Sequence, residues 1–401
     1  MTTLKNLTWI IPTSLVFGSI FAFLDGGTWW IGLLSYTSIL VLGLYLLSLS
    51  WQSAGSPRSL VTMILLAFIL RAFVGIFFSW ALPIHGNDSE VHNAGYIFRD
   101  ASTYDRQSWE LASSGAPLWS VFDRSYGIEE QYGGLTLSLS FLYRYLSPDI
   151  HRQWLTIFFS AFIGAAGVGM AWKAARLAWG DRMGWMVGWI MALYPEALLA
   201  GASQIREPFV TLFIATAFWG LADWSMNHHR RSWVWSVVCF PLSLLFSPGV
   251  AVFALVVLAG WFWFTQKERR IRWWWVVGVA VLALLGTLLL GVLVSGTLQA
   301  PAGPLTNLVD WLRYSASYSA YETELSSGWI QSIFQVLPGW LHIPFITAYG
   351  VTQPLLPAAI ADPAVWPSRL MGILRGIGWY GLIPLLIYTL YPVLKTREKP
   401  E

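Results

Sequence analysis

The stretch that decides the fold is a long apolar run followed directly by a polar segment. Residues 60–83 read LVTMILLAFILRAFVGIFFSWALP, and residues 84–115 read IHGNDSEVHNAGYIFRDASTYDRQSWELASSG. The apolar run is long enough to cross a bilayer, which takes about 20 residues. The polar segment extends to residue 132 and contains more acidic than basic residues. Its eight acidic residues are Asp88, Glu90, Asp100, Asp105, Glu110, Asp123, Glu129 and Glu130, and its three arginines are Arg99, Arg106 and Arg124. Carboxylates just outside a membrane predict chemistry or ion binding at the interface.

Composition places the whole chain in the membrane class. Of its 401 residues, 56% are hydrophobic and 11% are charged, whereas about a quarter of a soluble domain is charged. The mean hydropathy is +0.56. These values predict a multi-pass integral membrane protein, because too little polar surface exists for a soluble one. The 26 tryptophans fit headgroup-level anchors, and Cys239 as the lone cysteine excludes an intramolecular disulfide.

Apolar runs predict an all-α bundle of about ten transmembrane helices that forms a single integral membrane domain over residues 1–401. The runs are 7–24, 29–49, 60–82, 154–174, 183–199, 209–224, 232–246, 249–264, 273–294 and 373–394. Ser247, Pro248 and Gly249 predict a tight turn between two of them. The run 133–146 contains Arg144 and is short, so it is interpreted as an interfacial or re-entrant helix.

Basic residues predict the orientation. The loops 227–231 and 266–272 carry the densest Lys and Arg clusters, which favours a cytoplasmic position for both. The expected protein lies in the plasma membrane with both termini cytoplasmic and with the segments 83–152 and 295–370 outside. Ten strictly alternating spans cannot place every basic loop inside, so the span count stays open. Prolines in 330–367 leave open whether that part crosses the membrane or is re-entrant.

The outer loop is expected to contain an amphipathic helix that begins at Asp100. Gly115 is placed to end it. Asp100 and Tyr104 stand at i and i+4 and are therefore neighbours on its surface. The less polar positions share one face: Ala101, Tyr104, Ser108, Leu111 and Ala112. Such a helix can hold a carboxylate at the mouth of a cavity.

An arginine inside a span, Arg71, followed by an outer loop with Asp100, Tyr104, Leu111 and Gly115, resembles the GT-C superfamily of membrane glycosyltransferases. That superfamily includes the protein O-mannosyltransferases and the lipid A aminoarabinose transferases. The resemblance covers residues 60–224, including the outer loop 83–152, and leaves 225–401 as C-terminal helices. Residues 172–182 are similar to its basic cytoplasmic turn, and 193–209 to its second outer loop. Two helices precede the module, and residues 127–134 replace the usual Pro-rich approach.

The resemblance implies inverting transfer of a sugar from a polyprenyl phosphate to a lipid, glycan or protein acceptor on the outer face. Asp100 is the expected general base, with Asp105 and Glu207 assisting it or holding a metal. Arg206 and Arg71 are expected to bind the donor phosphate, and Tyr104 the substrate. The resemblance implies no definite cofactor, and whether a divalent cation takes part is left open. Membrane lipids are expected partners, and no nucleic-acid partner is expected.

Each of these residues also has a structural interpretation. Asp100 fits an N-cap, and Asp105 fits a solvated carboxylate on the helix surface. Glu207, which precedes Pro208, fits a capping or dipole role. Arg71 lies near the middle of its span, where a charge is costly, and an ion pair with an outer-loop acid is the alternative to phosphate binding.

Two other functions compete with glycosyl transfer. A polymerase or ligase of lipid-linked glycans would have a similar topology but would depend on Arg and His rather than on an Asp at a helix start. A transporter or flippase would need ionisable side chains buried along a path at mid-membrane, and Arg71 is the clear case. Inverted repeats, which many transporters have, are not visible.

Overall fold

The computed structural model describes residues 2–122, 133–229, 231–265, 336–342, 344–345, 360 and 365–396. Within these residues the regular structure is helical, and no strand is found. The helices, in chain order, are α1 (Thr2–Asp25), α2 (Trp29–Ser53), α3 (Arg58–His85), α4 (Glu90–Asn93), α5 (Arg99–Ser113), α6 (Gly134–Leu146), α7 (Gln153–Trp179), α8 (Asp181–Leu193), α9 (Pro195–Gly201), α10 (Glu207–Asn227), α11 (Trp233–Phe246), α12 (Pro248–Thr265) and α13 (Trp366–Thr396). A short 3-10 helix, Leu118–Phe122, lies between α5 and α6.

Five described helices are long and apolar enough to cross a membrane, and a sixth span results if α8 and α9 are counted together. The five are Trp29–Ser53, Arg58–His85, Gln153–Trp179, Glu207–Asn227 and Trp366–Tyr388. These helices indicate membrane association. The predicted runs 7–24, 232–246 and 249–264 form shorter apolar helices, and 273–294 lies outside the described residues. The expectation of ten spans is therefore met only in part.

Several local predictions are confirmed. Helix α5 occupies Arg99–Ser113, and Gly115 takes the left-handed conformation (φ +72°) that glycine adopts without a steric penalty. The turn between α11 and α12 lies at Ser247. A helix also forms at Gly134–Leu146, where Arg144 donates to the carbonyls of Leu111 (2.6 Å) and Ala112 (3.2 Å) at the end of α5.

The chain divides into two compact units, Met1–Ile84 with Asp88–Gly286, and His85–Asn87 with Thr287–Glu401. In the first unit α7 is the central helix, because 72% of its most apolar stretch is buried, against 39% or less in the other spanning-length helices. It packs against α2, α8 and α10. The Phe162 ring lies on the bare backbone of α2, where a Cβ on Gly43 would come within 2.1 Å of it. In the second unit α13 is the long described helix.

One predicted span is broken. The run 183–199 forms α8 and α9, which meet at an angle of 58°. The break follows from Pro195, which has no N–H to donate to the carbonyl of Met191 one turn back, and from the extended ψ of 119° at Tyr194. Two carbonyls at the end of α8 therefore need another donor.

Candidate functional site

A cavity of about 330 Å³ lies where the start of α5, helix α9 and the turn before α10 meet. We call it the Asp100 cavity. Its lining consists of Phe98, Arg99, Asp100, Tyr104, Glu196, Ala200, Ile205, Arg206 and Glu207. Four residues predicted from sequence, Asp100, Tyr104, Arg206 and Glu207, are thus brought together although more than a hundred positions separate the two pairs. Arg71 and Asp105 are not among the lining residues.

Two of the three acidic side chains that line this cavity, those of Asp100 and Glu207, were predicted from sequence and lie at helix starts. Helix α5 begins at Arg99 after an extended Phe98 in the N-cap position, so Asp100 lies in the first turn and the N-cap interpretation is wrong. Helix α10 begins at Glu207, with Arg206 in the N-cap position and Pro208 second. A carboxylate in a first turn interacts favourably with the helix dipole. The dipole interpretation of Glu207 is compatible with this placement.

The cavity combines both signs of charge. The carboxylates of Asp100 and Glu196 lie near enough to Glu207 to repel its charge, and Arg206 lies near enough to attract it. Asp100 and Glu207 are both exposed. In a cavity with this lining, a carboxylate can take a proton from a bound hydroxyl while an arginine binds an anionic oxygen. Sequence reasoning gave no role to Glu196. Its position directly after the helix-breaking Pro195 could have indicated that it lies at a helix start.

Asp105 lies on the same helix but in a different environment. It is 0% exposed, so the interpretation as a solvated surface carboxylate is wrong. Tyr96 donates to its Oδ2 (2.7 Å) and Tyr143 to its Oδ1 (2.6 Å). His151 Nε2 lies 2.8 Å from Oδ2, and Thr156 Oγ1 lies 3.2 Å from Oδ1. These five residues form the Asp105 cluster, in which both carboxylate oxygens are taken by neighbouring side chains.

The Asp105 cluster joins α5 to the turn that carries Arg206. Gln204 donates from Nε2 to Thr156 Oγ1 over 3.2 Å, and Gln204 is itself 2% exposed. It stands two residues before Arg206 in the chain. The cluster therefore fixes α5 and this turn relative to each other. In this geometry Asp105 positions the cavity walls and does not reach into the cavity.

Burial, together with the nearby carboxylate, raises the pKa of Tyr96 and that of Tyr143 well above the ordinary value for tyrosine. Both hydroxyls consequently stay protonated and keep donating to Asp105 across the physiological range. Since each donates to a different oxygen of Asp105, the carboxylate is held in one rotamer.

Sequence reasoning gave no role to His151, which borders the cluster. Its side chain is 32% exposed, and its ring lies 5.5 Å from Trp109 and 5.0 Å from Tyr143, measured between ring centroids. His151 is thus a partly exposed member of the otherwise largely buried Asp105 cluster. The signal that could have found it is the polar sequence Asp149-Ile-His-Arg152 immediately before an apolar span.

A neighbouring ion pair ties the start of α7 to the loop between α1 and α2. Arg152 is fully buried and pairs with Asp149, while Asp149 Oδ2 accepts from the backbone N–H of Thr28 (2.9 Å). Arg152 also donates to the carbonyl of Thr28 (3.4 Å) and to Ser147 Oγ (2.9 Å). Hydrogen bonds from Arg152 hold the pKa of Asp149 well below its usual range.

Arg71 lies at the break between α8 and α9. It is 1% exposed, and its guanidinium donates to the carbonyls of Met191 (2.7 Å), Ala192 (3.3 Å) and Ala67 (3.0 Å). Met191 is the residue whose carbonyl Pro195 leaves without a donor. No acid pairs with Arg71 within the described residues, so the ion-pair alternative does not hold there. Gly201 makes room for it, because a Cβ there would lie 2.5 Å from its Cδ.

Metal binding stays a prediction. Across the described ranges, no group of three or more His, Cys, Asp or Glu side chains is placed to hold a metal ion. Comparisons with family models, with curated proteins and with solved structures found no match to this chain.

Proposed function

We propose that this chain is a GT-C-like membrane glycosyltransferase that moves a sugar from a polyprenyl phosphate to a hydroxyl acceptor on the outer face of the membrane. The observation that carries the proposal is the shared cavity of Asp100, Tyr104, Arg206 and Glu207. Its volume of about 330 Å³ falls at the lower end of the range of about 300–1,000 Å³ for small-molecule sites.

The reaction is a single displacement at the anomeric carbon. Asp100 takes the proton of the acceptor hydroxyl, and the acceptor oxygen forms the new bond to that carbon with inversion. The bond between the sugar and the phosphate oxygen breaks, and its electron pair leaves with the lipid phosphate. Arg206 stabilises that phosphate through charge-assisted hydrogen bonds. Asp100 then releases its proton to water.

The other predicted residues take supporting roles. Tyr104 lies one helical turn from Asp100 and borders the bound sugar. Glu207 interacts with the charge of Arg206 and orients it. Asp105 acts as a positioning residue through Thr156 and Gln204 rather than as a second acid. Arg71 stabilises the broken span that carries Glu196, and so supports the cavity from outside it.

A transfer assay with a labelled polyprenyl-phosphate sugar tests the proposal. Asp100→Asn is expected to lower turnover by about 10²–10⁴-fold, the usual contribution of a general base. The matched control is Glu110→Gln, since Glu110 lies on the same helix, outside the cavity lining, and pairs with Arg106 at the exposed surface. Full turnover by a folded Asp100→Asn protein would reject the catalytic role. Substrate flux in proteoliposomes without a covalent product would instead support transport.

A further inference from the structure

A second pocket lies at the opposite end of α10 from the Asp100 cavity. Its volume is about 560 Å³, and we call it the Lys173 pocket. The lining residues that matter here are Trp172, Lys173, Arg176, Trp219, Asp223 and His229. Asp223 and Glu207 are separated by about 24 Å along α10 at 1.5 Å per residue. The function proposed above gives no task to this end of the bundle.

Hydrogen-bond donors are in excess in the Lys173 pocket. The Lys173 ammonium lies 3.2 Å from the centroid of the Trp219 ring, and none of its three N–H groups has an oxygen or nitrogen acceptor in the described part of the chain. Within the described residues, Arg176 bonds only through Nε, to Asp181, and its guanidinium carbon lies 5.0 Å from the Trp172 ring. Two cations are therefore held against indole faces beside an open volume.

Among the described residues that line the pocket, Asp223 has the one carboxylate, and it is already engaged. Asp223 accepts from Asn227 Nδ2 (2.7 Å) and from Ser232 Oγ, and His229 Nδ1 lies 3.1 Å from its second oxygen. It does not reach Lys173 within the distance of an ion pair. The indole N–H of Trp172 is buried and has no acceptor in the described residues either. Among the described residues, the pocket therefore leaves no carboxylate free to accept from Lys173.

We propose that the Lys173 pocket binds the phosphate group of an amphiphile. Phosphate oxygens accept from Lys173 and Arg176, and the apolar part of the ligand lies against Leu177 and Trp219, which line the pocket and are partly exposed. The C-terminal ends of α2 and α7 oppose an anion here. Their partial charge is about half a unit and fades within one turn, whereas Lys173 carries a full charge six residues before the end of α7. Phosphate chemistry is common to an acidic phospholipid and to a free phosphate, and the experiment separates the two.

Native mass spectrometry of the full-length protein in detergent, after lipid removal, provides the test. The probes are phosphatidic acid, diacylglycerol with the same chains, and inorganic phosphate. Phosphatidic acid is expected to bind saturably and diacylglycerol is not. Lys173→Met is expected to weaken binding about tenfold or more, the loss of about 1.4 kcal/mol that one charge-assisted contact supplies. Lys173→Arg should keep binding, and Arg182→Gln, which removes an exposed cation outside the pocket, should leave it unchanged.

A second measurement uses the unaltered protein and does not depend on a variant that folds. Phosphatidic acid should slow acylation of Lys173 by an amine-reactive reagent, and diacylglycerol should not. Protection by inorganic phosphate without protection by phosphatidic acid would assign the site to a soluble phosphate and overturn the amphiphile as its ligand. Equal binding of phosphatidic acid and diacylglycerol, undiminished binding by a folded Lys173→Met protein, or no binding and no protection by either phosphate probe would each overturn the proposal.

Discussion

Asp100 and Asp105 lie five residues apart on one helix, yet Asp100 is exposed in a cavity and Asp105 is 0% exposed. Five residues correspond to a rotation of about 140° around an α-helix. The two carboxylates therefore point into different environments, one toward open volume and the other toward two tyrosines, a histidine and a threonine. One helix therefore carries both the proposed general base, Asp100, and a buried residue, Asp105, that fixes the position of the helix.

The first prediction compares these two aspartates. Asp105→Ala should lower the free energy of unfolding by about 3 kcal/mol or more, because it leaves the buried hydroxyls of Tyr96 and Tyr143 without their acceptor, at about 1–3 kcal/mol each. Asp100→Ala should change it by less than about 0.5 kcal/mol, as is usual at an exposed site. Denaturant unfolding in detergent measures both. Equal losses for the two variants would contradict the separation.

The second prediction concerns the hydroxyl of Tyr143. Tyr143→Phe removes a 2.6 Å hydrogen bond to Asp105 in a fully buried position and should cost about 1–2 kcal/mol. Tyr145→Phe is the matched control on the same helix, since Tyr145 is exposed and should tolerate the change. Thermal unfolding of the two variants side by side gives the comparison. If Tyr143→Phe unfolds at the same temperature as wild type, the hydrogen bond from Tyr143 to Asp105 does not contribute to stability.

The third prediction is a coupling between Arg71 and Pro195. Arg71→Leu alone should destabilise the protein by about 3 kcal/mol, because the carbonyls of Met191 and Ala192 lose their donor. Pro195→Ala supplies a backbone N–H one turn after Met191. The loss of stability caused by Arg71→Leu should therefore be smaller in the Pro195→Ala background than in wild type, by at least about 1 kcal/mol. A double-mutant cycle measures this difference, and strictly additive effects would show that Arg71 does not replace the missing proline N–H.

The fourth prediction concerns pH and Asp149. The folded-state pKa of Asp149 lies below its unfolded value of about 3.9, so the ion pair with Arg152 contributes its full stability above about pH 4 and loses it as the pH falls further. Asp149→Asn should therefore be less stable than wild type at pH 6, with the difference shrinking at pH 3. Thermal unfolding of both proteins at pH 6, 4 and 3 checks this. A difference that does not change with pH would assign the effect to packing instead of charge.

Long apolar runs made the helices predictable, and turn-forming residues predicted where several of them end. Gly115 marks the region where α5 ends, and Ser247 the turn before α12. The break inside 183–199 could have been anticipated from Pro195. The donor that satisfies it could not, because Arg71 stands more than a hundred residues away and a helix pattern gives no distance between helices.

The candidate site was predictable as residue types and less so as roles. Acids at two helix starts, Asp100 and Glu207, were visible from helix signals, and their meeting in one cavity depends on how α5, α9 and α10 pack. The burial of Asp105 was not visible, because its partners Tyr96, Tyr143 and His151 come from three separate segments. A carboxylate among polar neighbours in the sequence gives no signal of being enclosed in space.

The Asp105 cluster also bears on the entropy of the step proposed for Asp100. A surface helix tied down only at its ends can rotate and slide, and a reacting group on it must be ordered anew at each turnover. Side chains from α6, α7 and the loop before α5 hold Asp105 in one orientation, which leaves the helix a single angle about its axis. The backbone at Asp100 is thereby ordered when the chain folds, so that binding energy from the substrate is not needed to order it.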